Sequence, residues 1–489
     1  MNMNEFRPNS ITKNIFHLFY STAAASFLNA LVLIYLASYL QAYHYGMFSV
    51  ALASAMVMGY FTDAGLTEIA IREGSKKDAD LSTILASYIK VRTLLLLITI
   101  LGGSCFIYFF YHLNQELIKV AYFLSIPMVI GLALQGVGTM FFQLIQKMQF
   151  IGFIKMLSAL LLICTLTLSI LFSLPPIMVC LMYGLSYCMA GVFALILVAS
   201  HVRIVLKLPF LPGFLKNFTS FMCSGLLFII TPQLGPIILE KTLTLKEVGL
   251  FAVAYRIPQA LQQLPLIIAG AYRPVMFNRY HSKEAHEHLK LNVMLIKMMA
   301  LFGMVITVPL YYLSDELVLL LFGESWLPAS EAVSILSLLI LFQAIGIGLA
   351  DGLTTSGRQS FRTGVQLFSV LAGILAYILL SRSYGVTGGA YAGLAVEIMA
   401  LIGFWLFIPN KKVIAQQTLL PYLIYFGLFF SLCTMALSNH PYTAASIHLL
   451  SIVFLIYLDK EMKGKVSILL HQLRTKLKVR EKVGNAIHK

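Results

Sequence analysis

The sequence predicts an all-α polytopic membrane protein with about fourteen transmembrane helices. Three observations carry that reading. Of the 489 residues, 59% are hydrophobic and only 11% charged, where soluble domains carry about 25% charged residues; the mean hydropathy is +0.85. Apolar runs of about 20 residues, the length that crosses a hydrocarbon core, recur along the whole chain. Lysine and arginine gather in alternate connections between those runs.

The spans follow in order. The chain opens on a polar segment, MNMNEFRPNSITKNIFHLF. The apolar run after it is too long for a signal-peptide core and lacks a small-residue cleavage site, so 14–40 is the first permanent span. The next five are 45–62, 84–110, 117–141, 152–172 and 177–200. Four more cover 218–239, 248–270, 291–313 and 332–349, and the last four 361–380, 386–407, 419–437 and 442–458. With the N-terminus placed inside, 30 of the 35 lysines and arginines fall on the inner side. Lys119, Lys241, Lys246 and Arg382 fall outside, and Arg256 falls within the membrane. An even number of spans with both ends cytoplasmic is expected. The net charge of +15 is thus a topology signal rather than a sign of nucleic-acid binding.

Outer connections are short. The longest, 314–331, carries Asp315, Glu316, Glu324 and Glu331 and no base. In the tail, 459–489, Val466, Leu469, Leu470, Leu473 and Leu477 recur at helical spacing among nine bases, which predicts a basic amphipathic helix lying on the cytoplasmic leaflet. The six cysteines sit in apolar runs without zinc spacing. His281, Glu284 and His288 share a helical face, but in a charged inner connection, so no metal site is expected. No Walker A, HExxH or nucleophile-elbow pattern occurs. The chain is expected to be no enzyme and to hold no cofactor.

An internal repeat is visible. GMFSVA, Gly46 to Ala51, matches GLFAVA, Gly249 to Ala254, at an offset of 203 residues. LQGVGTMFFQLIQK in the fourth span answers IGIGLADGLTTSGRQSFR in the tenth, and GLSYCMAGVFALI in the sixth answers GLAVEIMALIGFW in the twelfth. The expected organisation is a six-helix bundle over 1–203, a second over 204–410 related by a pseudo-twofold along the membrane normal, two further helices over 411–458, and the tail over 459–489. Transporters built from repeats bind substrate between them, often beside helices broken by Gly or Pro.

This organisation, with YHYGMFSVALA, YFTDAGLTEIAIRE, KEVGLFAVAYRIPQAL, LTTSGRQSFR and YGVTGGAYAGL, resembles the multidrug/oligosaccharidyl-lipid/polysaccharide exporter superfamily, and within it the O-antigen and oligosaccharide-lipid flippases. The resemblance implies two bundles around a central cavity that works by alternating access. It also implies undecaprenyl-diphosphate-linked oligosaccharide as cargo, carried from the cytoplasmic to the outer leaflet of a bacterial inner membrane for lipopolysaccharide or exopolysaccharide synthesis. A polysaccharide polymerase and chain-length machinery are the partners it implies, beside the bilayer itself. A drug or cation exporter of the same superfamily is the alternative, and a membrane glycan polymerase a more distant one.

Polar residues inside the spans are the candidate site. Gly249, Ala252, Arg256, Gln259 and Gln263 form one helical stripe, small at its outer end and polar below. A guanidinium suits a diphosphate because its planar fork donates two hydrogen bonds, and the relative that flips the peptidoglycan precursor uses a cavity arginine from the same helix. Arg256 is thus expected either to bind substrate or to pair with Glu397 or Glu240. Glu397 is a candidate for proton or sodium coupling, for structural pairing, or for snorkelling. Asp63, near Glu68 and Glu73, and Asp351 are candidate gate residues or simple helix ends. Arg72, Lys90, Arg92, Arg273 and Arg279 gather at the inner mouth, where they could draw in a lipid diphosphate.

Overall fold

The computed structural model describes residues 11–465 apart from 75, 77–79 and 216–217. Those residues are helical almost throughout, with no strand among them. The expected amphipathic helix of the tail lies outside the described residues.

Helix α1, Ile11–Phe61, bends sharply at Gln41, which takes φ 58°. Such a left-handed residue ends one helix and starts another, and the Gln41 amide covers the exposed Ser38 carbonyl at 2.8 Å. The chain turns through Ala64 and Gly65 into α2, Leu66–Gly74. Asp80 then caps α3, Leu81–Phe110, by accepting from the Thr83 amide at 3.1 Å, and Asn114 caps α4, Gln115–Leu144, in the same way. These caps occupy amides that the first helical turn leaves without partners. Helices α5, Met148–Leu171, and α6, Pro176–Ala199, follow.

The span expected over 218–239 is divided. Helix α7, Phe218–Ile230, gives way to a tight turn at Thr231–Gln233 and then to α8, Leu234–Leu239. Pro232 and Pro236 have no N–H to continue the ladder. The span expected over 248–270 is divided too, into α9, Leu245–Leu261, and α10, Gln263–His281. Pro265 cannot donate to the Leu261 carbonyl, so the ladder stops there. The predicted continuous stripe from Gly249 to Gln263 is therefore interrupted after Gln259, which corrects the sequence reading.

Helix α11, Ala285–Tyr312, leads into α12, Ser314–Phe322, so the outer connection expected over 314–331 is itself largely helical. Next come α13, Ser330–Thr355, and α14, Gln359–Phe407, which bends at Gly385 with φ 59°. Helices α15, Lys411–Ile414, α16, Leu420–Ala436, and α17, Pro441–Leu458, follow, and the described chain ends in a further helical stretch over 460–465. Ten helical segments among the described residues are long and apolar enough to cross a membrane. They take each bent helix as one and omit the two divided spans, so the expected fourteen crossings are not a direct count of them.

The chain divides into two compact units. The first comprises 1–263, 315–336 and 363–396; the second comprises 264–314, 337–362 and 397–489. This division by compactness differs from the division by repeat at residue 203.

In the first unit α1 and α9 cross at Gly46 and Gly249. A Cβ on Gly46 would strike the Leu245 carbonyl oxygen, and one on Gly249 would strike that of Ala42. The collision is reciprocal at the repeat offset: 42 maps to 245 and 46 to 249. In lipid, helices gain little hydrophobic drive from meeting, so small residues that let backbones touch carry the contact. The fully buried rings of Phe48 and Phe251, again 203 apart, lie just beyond it.

In the second unit Lys297 of α11 pairs with Asp459 at 2.8 Å and Glu461 at 2.9 Å, just past the end of α17. Burial would raise the Asp459 carboxyl, but hydrogen bonds from Lys297 and the Met462 amide outweigh it and hold it below its usual value.

Replacing either glycine of the crossing should push α1 and α9 apart. Gly249→Leu is expected to lower the melting temperature of the detergent-solubilised protein by several degrees, in line with about 1–3 kcal/mol for overpacking. A melting curve unchanged from that of the parent would contradict the crossing.

Candidate functional site

Arg256 is placed by the start of its own helix. Thr244 and Glu247 form a reciprocal cap: the Glu247 amide donates to Thr244 Oγ1 at 3.3 Å, and the Thr244 amide donates to Glu247 Oε2 at 2.9 Å. This anchors α9, and Arg256 lies about 17 Å along it, three turns in. A hydrocarbon core is about 30 Å thick, so that depth is near its middle.

The guanidinium is half-buried and donates to Gln259 Oε1 at 2.8 Å. It lies close enough to the hydroxyls of Tyr45, Tyr183 and Tyr187 for its charge to act on all three. Those rings are part of a packed aromatic wall. Phe48 meets Tyr183 edge-on at 5.0 Å, Tyr183 lies 5.7 Å from Tyr187, and Tyr45 meets Trp326 edge-on at 5.7 Å. Of the acids expected to neutralise Arg256, Glu240 instead pairs with Lys241 at 2.8 Å. Within the first unit, no described carboxylate lies within ion-pair distance of Arg256. Chemically this is a fork of donors in a low-dielectric setting, flanked by phenols and an amide, which suits an anionic oxygen cluster and a sugar face.

Gln259 holds the guanidinium, and Gln263 opens α10 beyond the break. The Gln263 side chain lies outside the described residues. The tyrosine wall is what sequence reasoning missed. The signal was present, since Tyr183 and Tyr187 are four apart on one helical face, but aromatic residues at that spacing are common in any packed core.

The inner-mouth bases are engaged differently from one another. Arg92 is 5% exposed. It ion-pairs with Asp63 through Nη1, donates through Nε to the Ala133 carbonyl at 2.7 Å, and through Nη2 to the Leu132 carbonyl at 3.2 Å. Asp63 also accepts from Tyr88 Oη at 3.0 Å and Thr67 Oγ1 at 2.7 Å. A Cβ on Gly136 would collide with this guanidinium, so the glycine makes its room. Lys90 donates to the Leu208 carbonyl at 2.7 Å, and Arg72 to that of Gly213 at 3.2 Å.

In the second unit Arg273 donates twice to Asp351 Oδ1, at 3.1 and 2.8 Å, and Arg362 lies 3.9 Å from the same oxygen. Asp351 is 1% exposed. Arg279 pairs with Glu284 at 2.5 Å on the surface, and His288 Nε2 bonds Thr355 Oγ1 at 2.8 Å. Two members of the histidine-rich face are thus engaged elsewhere, and no group of three metal-ligating side chains is found among the described residues. Glu397 Oε1 accepts from Gln343 Nε2 at 3.1 Å.

Residues 11–279, more than half of the chain, match the family model described as polysaccharide biosynthesis protein. The chain belongs to that family. No curated protein matches its sequence significantly. Among solved structures it is similar to the lipid II flippase MurJ in an inward closed conformation, with TM-score 0.67 and 15% identity over 93% of this chain and 99% of that one. It is also similar to an inward-facing multidrug resistance transporter of the MATE family, with TM-score 0.66 and 14% identity over 80% of this chain and 95% of that one. A MOP superfamily transporter from Pyrococcus furiosus aligns at TM-score 0.59 and 15% identity over 83% and 96%. These likenesses show the fold: this member of the polysaccharide biosynthesis family is a multi-pass membrane protein with the MOP transporter architecture.

The Asp63–Arg92 lock makes a direct prediction. Arg92→Ala leaves Asp63 facing a buried void and should destabilise the protein by on the order of 3 kcal/mol. The double variant Asp63→Asn with Arg92→Met should recover part of that loss, measured as melting temperature in detergent. A double variant that loses as much as the two single losses added together would show that the two residues act independently.

Proposed function

We propose that this protein carries a lipid-linked oligosaccharide, its glycan joined through a diphosphate to a polyprenyl carrier such as undecaprenol, from the cytoplasmic to the outer leaflet of the inner membrane. The observation that carries the reading is Arg256: a half-buried cation at mid-membrane depth, without a carboxylate partner in its unit and walled by tyrosines. An uncompensated charge there costs about 2.5–3.5 kcal/mol on insertion scales, so its presence calls for an anion that comes and goes. A diphosphate supplies the charge, and the aromatic wall offers a stacking face for sugar. Membership of the polysaccharide biosynthesis family and a fold shared with a lipid II flippase support the same cargo class.

Alternating access needs the deep site to open to each side in turn. The break between α9 and α10, at the boundary of the two units, is a place where the chain can bend without tearing a continuous hydrogen-bond ladder. In this scheme the two Asp–Arg locks hold one state, Arg72, Lys90 and Arg279 face the cytoplasm, and Glu397 couples the cycle to proton or sodium entry. Export of a cationic drug, the alternative reading, would favour an acid where Arg256 stands.

Arg256→Ala is expected to cut surface-glycan display at least tenfold while membrane levels of the protein stay normal, with lipid-linked glycan building up on the cytoplasmic leaflet. Arg256→Lys should keep part of the display, because the charge survives without the fork. Normal display in Arg256→Ala would overturn the role of this residue. Glu397→Gln should leave the protein folded but make display insensitive to collapse of the ion gradient; display that still falls with the gradient would remove Glu397 from coupling.

A further inference from the structure

The linker between the two repeats is pinned to the first bundle through its backbone. The Leu211 amide donates to Ser87 Oγ of α3 at 3.1 Å. Lys90, one turn farther along α3, donates to the Leu208 carbonyl, and Arg72 of α2 to that of Gly213. A Cβ on Gly213 would strike the Glu73 carboxylate, so the missing side chain lets the linker come this close. On either side of these bonds Val202 and Phe214 are buried in the same core cluster as Leu85 and Phe141.

The pins also fix the depth of the linker. Ser87 and Lys90 stand 23 and 20 residues before Phe110, the outer end of α3. The linker is therefore held about 30–35 Å along the helix from that end. A hydrocarbon core is about 30 Å thick. In the orientation that the basic connections imply, this is the level of the cytoplasmic head groups.

Between the pins the side chains are free. Residues 203–211 form neither helix nor strand. Ile204, Val205, Leu206 and Phe210 are exposed, Leu206 by 50%. Arg203 and Lys207 flank the apolar three and are exposed as well. No acid occurs in 201–215, and among the described residues no carboxylate pairs with either base. An exposed apolar stripe on α6, Met189, Val192 and Ile196, leads down to this segment.

We propose that residues 203–210 are a docking surface for the anionic cytoplasmic leaflet, with Arg203 and Lys207 on lipid phosphates and Ile204, Val205, Leu206 and Phe210 set among the first carbons of the acyl chains. Depth, charge and continuity with α6 together pick lipid as the occupant. An exposed apolar run alone would fit many partners. Bases on both sides of it, at head-group level, fit the one boundary where phosphates lie directly above hydrocarbon. The segment does this without forming a helix because α2 and α3 hold its backbone at 208, 211 and 213. The surface is separate from Arg256 and does not depend on the transport reading.

The test uses the full-length protein in nanodiscs of phosphatidylcholine alone and of phosphatidylcholine with phosphatidylglycerol. Hydrogen exchange of the peptide covering 203–210 is followed by mass spectrometry. Amides 203–207 make no backbone hydrogen bond among the described residues, so shielding by lipid is what can slow them. Exchange should be slower on the order of tenfold with phosphatidylglycerol present, and inorganic phosphate added to the neutral nanodiscs should change nothing. The double variant Arg203→Gln with Lys207→Gln should lose the difference between the two lipids. Leu206→Ser should speed exchange in both. The proposal is overturned if the parent exchanges equally in both lipids, if the double variant keeps the difference, or if inorganic phosphate reproduces it. Protection in neutral detergent that grows with protein concentration would also overturn it, since the surface would then belong to a second copy of the chain. Should the double variant fail to fold, the two lipids compared on the parent still decide.

Discussion

The backbone contact between Gly46 and Gly249 is the constraint on which the first unit depends. Two helices that begin 203 residues apart, one after Gln41 and one after Thr244, meet where neither can carry a side chain. The meeting sets the depth and rotation of α9 against α1. Arg256 follows seven residues after Gly249, two helical turns further in, so its position beside Tyr45 is inherited from that crossing. The corresponding residue of the first copy is Ala53, and that of Gln259 is Met56. The repeat is therefore kept where backbones touch and broken where Arg256 and Gln259 stand.

Charge in this molecule sorts into two kinds. Asp63 with Arg92, Asp351 with Arg273, and Lys297 with Asp459 and Glu461 are pairs in which each ion offsets the desolvation of the other. Such pairs fix how helix ends sit and are costly to break. Arg256 and Lys155 are the other kind, cations held by neutral groups, an amide and a hydroxyl. The chain has 35 basic and 20 acidic residues, so compensation within the protein is incomplete. The proposed function gives Arg256 the phosphate-bearing head of a lipid as its counter-ion.

Much of the architecture was legible because it rests on local physics. Apolar runs must be helical in lipid, since each backbone polar group needs a partner within its own segment. The GMFSVA and GLFAVA segments pointed to the repeat, and the Gly46–Gly249 contact shows what those glycines are for. The helix breaks were less legible. Pro265 signalled a bend, yet the stripe reading carried the helix straight through it to Gln263. The candidate site was half visible: Arg256 stood out as a charge in an apolar run, while Tyr45, Tyr183 and Tyr187 did not, because a tyrosine in a membrane helix is ordinary until its neighbours are known.

The sequence by itself determined that this is a helical membrane protein with a repeat, which of its ends are basic, and which charges lie within the spans. Those properties depend on composition and on periods of a few residues. Only the tertiary structure decided which charges are spent on each other. Arg92 looked like an open base at the inner mouth and is in fact buried against Asp63, 29 residues away, while Arg273 meets Asp351 across 78. Pairing over such separations is set by where whole helices cross, and a crossing is chosen by the packing of many side chains at once rather than by any local pattern.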